Sequence, residues 1–388
     1  MHLTQALLGI LALSFAAALP QEPVETETTL LPSESSTVQS QTSQASIPPE
    51  TFSTSTLPPS ETNTLAPSTT SEAISEPTTG GETLRCSGRT ARKEVRQMKQ
   101  DGDWDAFIGA YMSLVSDGTL ASYVNQHVQS WGFAHFNAHF LPYHRIFLKK
   151  FEEDLQSRGA RYLPYWDSSA DSQDLLNSQI LTAEFFGKLA SDGTIQDGPF
   201  SRGNYSTPVD GLPLTRGYKE GDTLYAFPLI QNAINNPSFS GMSEDIEYGQ
   251  HAVVHSIIGG ASGSMSVQTS PNDPLFFLHH CYVDYIFYKW QLQNPGSPFE
   301  ADNYNLGRMT PNEIIAPWNV PVRNAWTVDQ ACVGYEDPDP NVVKVAGNGT
   351  IRPPSNATAW LNNAGANKTV AKTVAKKATE NVKKVKED

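Results

Sequence analysis

The sequence is short of cysteine, of basic charge and of long apolar runs, and each shortage excludes something. Only three cysteines, Cys86, Cys281 and Cys332, occur in 388 residues. An odd number predicts one bridge and one free thiol. A Cys86–Cys332 bridge would clip both ends of the folded part and close a long loop, leaving Cys281, which lies in an apolar stretch, as a buried thiol. Lys and Arg total 27 against 41 Asp and Glu, a formal charge of −14. A nucleic-acid partner needs a basic face, and this composition argues against one. The single long apolar run, Ala6–Leu19, is too short to span a bilayer comfortably, so no stable membrane insertion is expected. Small residues Ala16, Ala17 and Ala18 close it, although His2 is its only basic flank. Residues 1–19 therefore read as a signal peptide, and the chain as secreted.

Composition divides the remainder. Residues 20–83 are Ser/Thr/Pro-rich, carry no Lys or Arg and hold one aromatic, Phe52. Such a stretch cannot bury enough apolar surface to offset its ordering entropy, and reads as a disordered stalk or a pro-segment. Aromatics become frequent from Leu84, and 84–337 is read as one catalytic domain. Residues 338–388 form a polar, Lys-rich tail ending in KTVAKTVAKKATENVKKVKED. Asn204, Asn348, Asn356 and Asn367 head glycosylation sequons.

No stretch of the domain alternates with the period of two that a sheet demands. Apolar residues instead recur at helical spacing: Phe107, Tyr111 and Leu114; Val254 and Ile258; Val283, Phe287 and Trp290. Loops rich in Pro, Gly, Asn and Ser separate them, as at 193–221 and 259–274. A mainly helical domain with long loops follows.

Eight of nine histidines lie between positions 127 and 280, in two groups. In the second, His251 and His255 are four apart, which on a helix places both imidazoles on one face. A third ligand would come from His279 or His280. In the first, Pro142 limits a helix, placing His135 on a loop and His144 at a helix start. His127 then adds a ligand from the end of a preceding helix. Histidine groups without clustered carboxylates suit copper rather than magnesium or calcium. Zinc hydrolases usually pair the metal with a carboxylate base, and no HExxH pattern is present.

The strings HFNAHFLPYHRIFLKKFE, LPYWDSSAD, QHAVVH and SPNDPLFFLHHCYVDYIFYKWQ resemble the tyrosinase/catechol oxidase family of type-3 dicopper proteins. The resemblance implies a four-helix-bundle core, with long loops and few strands, holding two copper ions. Its implied ligands are His127, His135 and His144 for one ion and His251, His255 and His279 for the other. His139 and His280 would be bystanders. It further implies that Asp284 and Asn272 orient the site, and that Arg145 and Asp167 belong to an ionic network. Phe276 and Phe277 would wall the copper pair, and Met265, Ser266 and Val267 would sit near the entrance. The implied partners are a phenolic small molecule and O2, with o-diphenols oxidised to o-quinones and monophenols attacked more slowly. Ala252 stands where some relatives use an asparagine to orient a water; Glu244 and Glu247 are the candidate proton acceptors. Two other readings of the same residues are a haemocyanin-like oxygen-binding protein and a cell-wall protein with a non-catalytic copper site. The remainder after Tyr335 is too short for the extra domain that covers the site in some longer relatives, so no plug from such a domain is expected. The oligomeric state is not readable.

Overall fold

A computed structural model describes residues 86, 90–297, 301–303, 307–345, 351–363, 365 and 376. The expected signal peptide and stalk, and most of the Lys-rich end, lie outside them. The described chain is mainly helical, with only short antiparallel strand pairs, β1 (Ala301–Asn303) with β2 (Gly307–Met309) and β3 (Ile314–Ile315) with β4 (Val320–Pro321). No described helix is long and apolar enough to cross a membrane.

The helices are α1 (Val95–Gln100), α2 (Trp104–Ser116), α3 (Thr119–Gln129), α4 (Trp131–Ala134), α5 (Phe140–Gln156), α6 (Phe227–Ile234), α7 (Phe239–Asp245), α8 (Ala252–Gly259), α9 (Leu275–Gln293) and α10 (Thr358–Asn363). Helix α2 buries Trp104, Phe107, Tyr111 and Leu114, the stripe expected of an amphipathic helix on a core. Gly118, at φ 81°, turns the chain into α3, a conformation that costs glycine least. Pro142 falls in the first turn of α5, where its missing N–H is no loss, and His144 follows within the helix. Between α7 and α8 the six residues Ile246–His251 form a π-helix. The three pieces make one rod with an inserted residue, a feature that frequently marks functional sites. Helix α9 is buried on nearly all sides along its first thirteen residues.

Both ends of the domain are fastened together. Cys86 and Cys332 form a disulfide across 246 positions, and Cys281 is free and buried. Close by, the Arg92 N–H donates to the Gly334 carbonyl and the Glu336 N–H to the Arg92 carbonyl. The buried Arg92 guanidinium donates to Glu152 at 2.9 Å and to the Tyr335 hydroxyl at 2.8 Å. Tyr335 in turn donates to Asp284 at 2.6 Å. Arg145 Nε donates to the other oxygen of Asp284 at 2.6 Å. These buried charges are paired, as burial requires. Two expectations change here. Arg145 pairs with Asp284 and not with Asp167, whose carboxylate instead accepts from Ser169 N–H and Oγ–H. Asp284 lies within this charge cluster and is given no histidine as a partner.

The packed structure does not end at residue 337. Residues 351–363 return to the domain: Thr223 Oγ1 donates to the Pro353 carbonyl at 2.7 Å, and Trp360 N–H to Ser256 Oγ at 2.9 Å.

Removing the disulfide with Cys86→Ser should lower unfolding stability by about 2–5 kcal/mol, through the longer loop left open in the unfolded chain. Denaturant unfolding measures it. An unchanged midpoint would mean that the Arg92 cluster holds the ends together without the bridge.

Candidate metal centre

Seven imidazoles converge in the core from four helices and a loop. His127 is in the last turn of α3 and His144 in α5. His251 ends the π-helix, His255 lies one turn on in α8, and His279 and His280 lie in α9. His135 follows α4 in extended conformation, with the Trp131 indole stacked on its ring at 3.9 Å. The next residue, Phe136, has φ 61°, a region unfavourable for a bulky side chain. Its N–H donates to Glu247 Oε1 at 2.5 Å, which ties the strained turn to the π-helix.

Four rings are oriented by the backbone. Nδ1–H donates to a carbonyl from His127 to Gln268 (2.8 Å), from His144 to Phe140 (2.8 Å), from His251 to Glu247 (3.1 Å) and from His255 to Met265 (2.7 Å). With Nδ1 protonated, each ring presents an Nε2 lone pair inward. The buried Nε2 atoms of His127, His144, His251 and His279 have no protein partner. The Met265 carbonyl reaches His255 because Gly259 lets the returning chain approach: a Cβ there would meet Ser266 N at 2.3 Å.

The nitrogens sort into two groups, His127, His135 and His144 in one and His251, His255, His279 and His280 in the other. Within each, donor atoms lie inside 4.8 Å of one another. The groups touch: His144 stacks on His280 at 4.3 Å and His135 on His251 at 5.8 Å between ring centroids. Burial, more than mutual repulsion, keeps the rings neutral. It pushes His127 down to about 3 and His255 down to about 4, and holds the others well below the usual histidine range.

The profile of the common central domain of tyrosinase matches residues 111–293. The tyrosinase of Streptomyces antibioticus is 32% identical over 245 residues, 58% of this chain and 85% of that protein. That of Streptomyces glaucescens is 31% identical over 247 residues, 58% and 85% of the two chains. In structure the fold resembles a functional unit of octopus hemocyanin (TM-score 0.51, 20% identity, 66% of this chain and 70% of that one). It also resembles a polyphenol oxidase from Thermothelomyces thermophila (TM-score 0.50, 20% identity, 64% and 89%). The chain belongs to the tyrosinase family. It is accordingly a copper oxidoreductase, and the donor set agrees: buried, uncharged nitrogen ligands with unclaimed lone pairs suit copper.

The tyrosinase fold brings six expected ligands together and leaves His139 out. His139 Nε2 faces Glu313, its Nδ1 lies 3.2 Å from Asn137 Oδ1, and its ring packs on Phe133. It does not separate His279 from His280, since both belong to one group. Phe276 walls the site, 5.0 Å from His127 and 4.2 Å from His280. Phe277 is ordinary core, stacked on Phe151 at 3.6 Å. Met265 serves through its carbonyl. Ser266 is buried, its hydroxyl donating to the Gly263 carbonyl, and Val267 lines an outer groove. Asn272 carries a buried Oδ1 without a partner, while its carbonyl accepts from Tyr205. Ala252 is buried at the start of α8. Glu247 is fully buried and Glu244 only partly. Burial raises Glu247 well above the usual carboxylate range, and its Oε2 has no protein partner.

The sequence reading missed Trp360. Its ring lies 4.9 Å from His251, 5.7 Å from His255 and 6.1 Å from His135, fully buried. The remainder after Tyr335, too short for an extra domain, thus places one aromatic residue against the histidines. No period or motif marks Trp360; a lone tryptophan in a polar tail was its one signal.

Neutral buried histidines bind fewer protons than unfolded ones, so the metal-free protein should lose stability as pH falls below about 6.5. The loss continues down to the folded values of about 3 and about 4 for His127 and His255. Thermal unfolding of the metal-free chain between neutral pH and pH 4 checks this; a flat profile would contradict the buried neutral cluster.

Proposed function

We propose that the chain is a secreted dicopper oxidase that uses O2 to convert o-diphenols to o-quinones, and acts more slowly on monophenols. The observation that carries it is the pair of histidine-only groups in ring contact. When bound, the copper ions supply reversible electron transfer between a diphenol and O2. Each diphenol gives up two electrons and two protons; two diphenols reduce one O2 to water. The protein aims four imidazoles, His127, His144, His251 and His255, by Nδ1–H bonds to carbonyls, and lines the space with Phe276, Phe140 and Trp131. His127, His135 and His144 would hold one ion. For the other, we assign His251 and His255 with His280 in place of His279. His280 Nε2 lies 3.1 Å from His255 Nε2. Two neutral acceptors that close fit a shared cation, because metal–nitrogen bonds of about 2.0 Å at a tetrahedral angle place donors about 3.3 Å apart. Secretion rests on the Ala6–Leu19 run and is supported by the disulfide, which persists in oxidising compartments. Relatives named tyrosinase favour turnover over oxygen carriage, and quinone formation from a catechol separates the two.

Elemental analysis after copper loading should give about two coppers per chain, with His280→Ala losing about one and His279→Ala and His139→Ala retaining both. Loss from His279→Ala with retention in His280→Ala would restore the other assignment.

An unperturbed phenol titrates near 10, so a monophenol needs a proton acceptor at neutral pH. Glu247, one turn before His251, carries a buried, partnerless Oε2; burial favours its protonated form, so it accepts the phenol proton only once ionised, and Ala252 offers no group to orient a water towards it. Ala252→Asn should raise the monophenol rate relative to the diphenol rate. Adding Glu247→Gln should remove that gain by roughly a hundredfold while the amide oxygen still receives Phe136 N–H. Steady-state rates on a matched monophenol and diphenol decide it; a wild type equally fast on both would refute the acceptor argument.

A further inference from the structure

Behind His127 the surface carries a groove of about 330 Å³, bounded by the chain from 194 to 215 and the loop from 262 to 272. It is not the way to the metal. Val267 and Thr269 line it and flank Gln268, whose carbonyl takes the His127 Nδ1–H, on the far side of that ring from Nε2. Backbone bonds fix its walls. Thr194 pairs with Thr215 in an antiparallel bridge, Arg216 N–H donates to the Gly193 carbonyl at 2.8 Å, and Ser264 N–H donates to the Thr215 carbonyl at 2.9 Å. Asn272 is the most buried of the lining residues, 3% exposed, and its amide Oδ1 has no partner among the described residues. A buried amide left unpaired is costly, and a ligand that donates to it removes the cost. Six of the twelve lining residues carry hydroxyls, and only Leu212, Pro213 and Val267 are apolar. The Thr194 and Thr207 hydroxyls donate to Asp192 at 2.6 Å and to the Leu212 carbonyl at 3.0 Å, and keep acceptor lone pairs. Those of Thr215 and Thr269 are uncommitted among the described residues.

We propose that this groove is a second binding site, one that seats a saccharide unit. Its chemistry excludes the other small ligands. A phenol or another flat apolar molecule favours mostly apolar walls. A phosphate would meet the Asp210 carboxylate, and the one cation on the groove, Arg202, already pairs with Asp192 at 3.0 Å. A hard metal ion needs several oxygen ligands of charge, and Asp210 is the single acidic side chain of the lining. A sugar ring fits both halves of the wall. Its hydroxyls donate and accept along the edge, towards Thr215, Thr269 and the Asn272 amide. Its C–H face packs on Leu212, 59% exposed on the rim, with Pro213 and Val267. The volume lies at the small end of ligand pockets, about 300–1,000 Å³, which suits a mono- or disaccharide unit. That chemistry has two sources. Asn204 heads a sequon, is exposed, and lies two residues from Arg202 and three from Thr207, both on the groove. Three residues span at most about 11 Å, so the first sugars of an N-glycan on Asn204 reach it. The other source is an oligosaccharide outside the chain. In either case the bound unit joins Thr215 to Thr269 and braces the loop whose Met265 and Gln268 carbonyls aim His255 and His127.

The test uses the full chain made without glycosylation, with N,N′-diacetylchitobiose and methyl β-glucoside as probes. Saturation-transfer NMR and calorimetry should show one of them bound with a dissociation constant of about a millimolar. At ten times that concentration the unfolding midpoint should rise by about 3 °C, with or without copper. Mannitol at equal concentration controls for the general stabilisation that excluded polyols give. The double variant Thr215→Val, Thr269→Val keeps shape and removes two hydroxyls that aim no imidazole. It should weaken binding by about tenfold or more. Should it fail to fold, Leu212→Asp on the exposed rim replaces it, and should weaken binding by placing a charge against the sugar's C–H face. Two further proteins assign the source: the chain secreted from a glycosylating host, and its Ser206→Ala variant, which lacks the Asn204 sequon. Probe binding lost in the first and kept in the second supports the site with the Asn204 glycan as its occupant. Equal binding in both supports it with an oligosaccharide outside the chain. No probe bound to the unglycosylated chain, or no midpoint shift beyond that with mannitol, overturns the site, as does unchanged affinity in the double variant and in Leu212→Asp. None of these readouts requires quinone formation, so their failure leaves the oxidase reading standing.

Discussion

Keeping seven imidazoles dry, uncharged and aimed inward is the constraint on which the rest of this structure depends. A buried ring nitrogen that finds no water must find a protein atom or a metal. The fold gives four rings a carbonyl for Nδ1 and leaves Nε2 to a metal. Two of those carbonyls, Phe140 and Glu247, come from the preceding turn of the same helical rod. The other two, Met265 and Gln268, come from one loop, so that loop must lie against both α3 and α8. Gly259 permits the approach on one side. On the other, the buried Arg216 guanidinium grips Asp273 with two bonds of 2.8 Å while Asp273 Oδ1 also receives the Leu275 N–H. The start of α9, which carries His279 and His280, is anchored through the same carboxylate.

The strong charges on these helices are paired among themselves. Arg145, next to His144 in α5, and Asp284, one turn after His280 in α9, join with Arg92 and Glu152 to tie both helices to the ends of the domain. An unpaired charge beside neutral imidazoles would shift their protonation and cost several kcal/mol of desolvation. Pairing each cation with a carboxylate makes the frame rigid without placing a field on the metal site. Tyr285 fits this arrangement: it stacks on Tyr165 at 5.0 Å and donates to Asp337.

What the sequence revealed followed from local geometry. The spacing of His251 and His255 survives even the π turn, because His255 lies one regular turn into α8. Proline before His144 placed His135 off the helix, and an odd cysteine count left Cys281 as the unpaired thiol. What it hid is non-local. Adjacent residues on α9 point about 100° apart, yet the site is crowded enough that His279 and His280 both fall within it, so sequence position cannot rank them. The partner of Arg145 was hidden for the same reason: Asp167 and Asp284 are equally plausible acids until α5 is laid against α9. Composition misjudged 338–363 because polar averages conceal one tryptophan with a preformed seat.

That seat follows from the same constraint. A centre walled by Trp131, Phe136, Phe140 and Phe276 has its aromatic surfaces already in place, and they need a flat apolar partner to stay dry. Trp360 is that partner, 4.9 Å from His251 and 6.0 and 5.5 Å from Trp131 and Phe136. Its backbone N–H is held by Ser256 Oγ, so the element that seals the site is fastened apart from the carbonyls that aim the histidine rings.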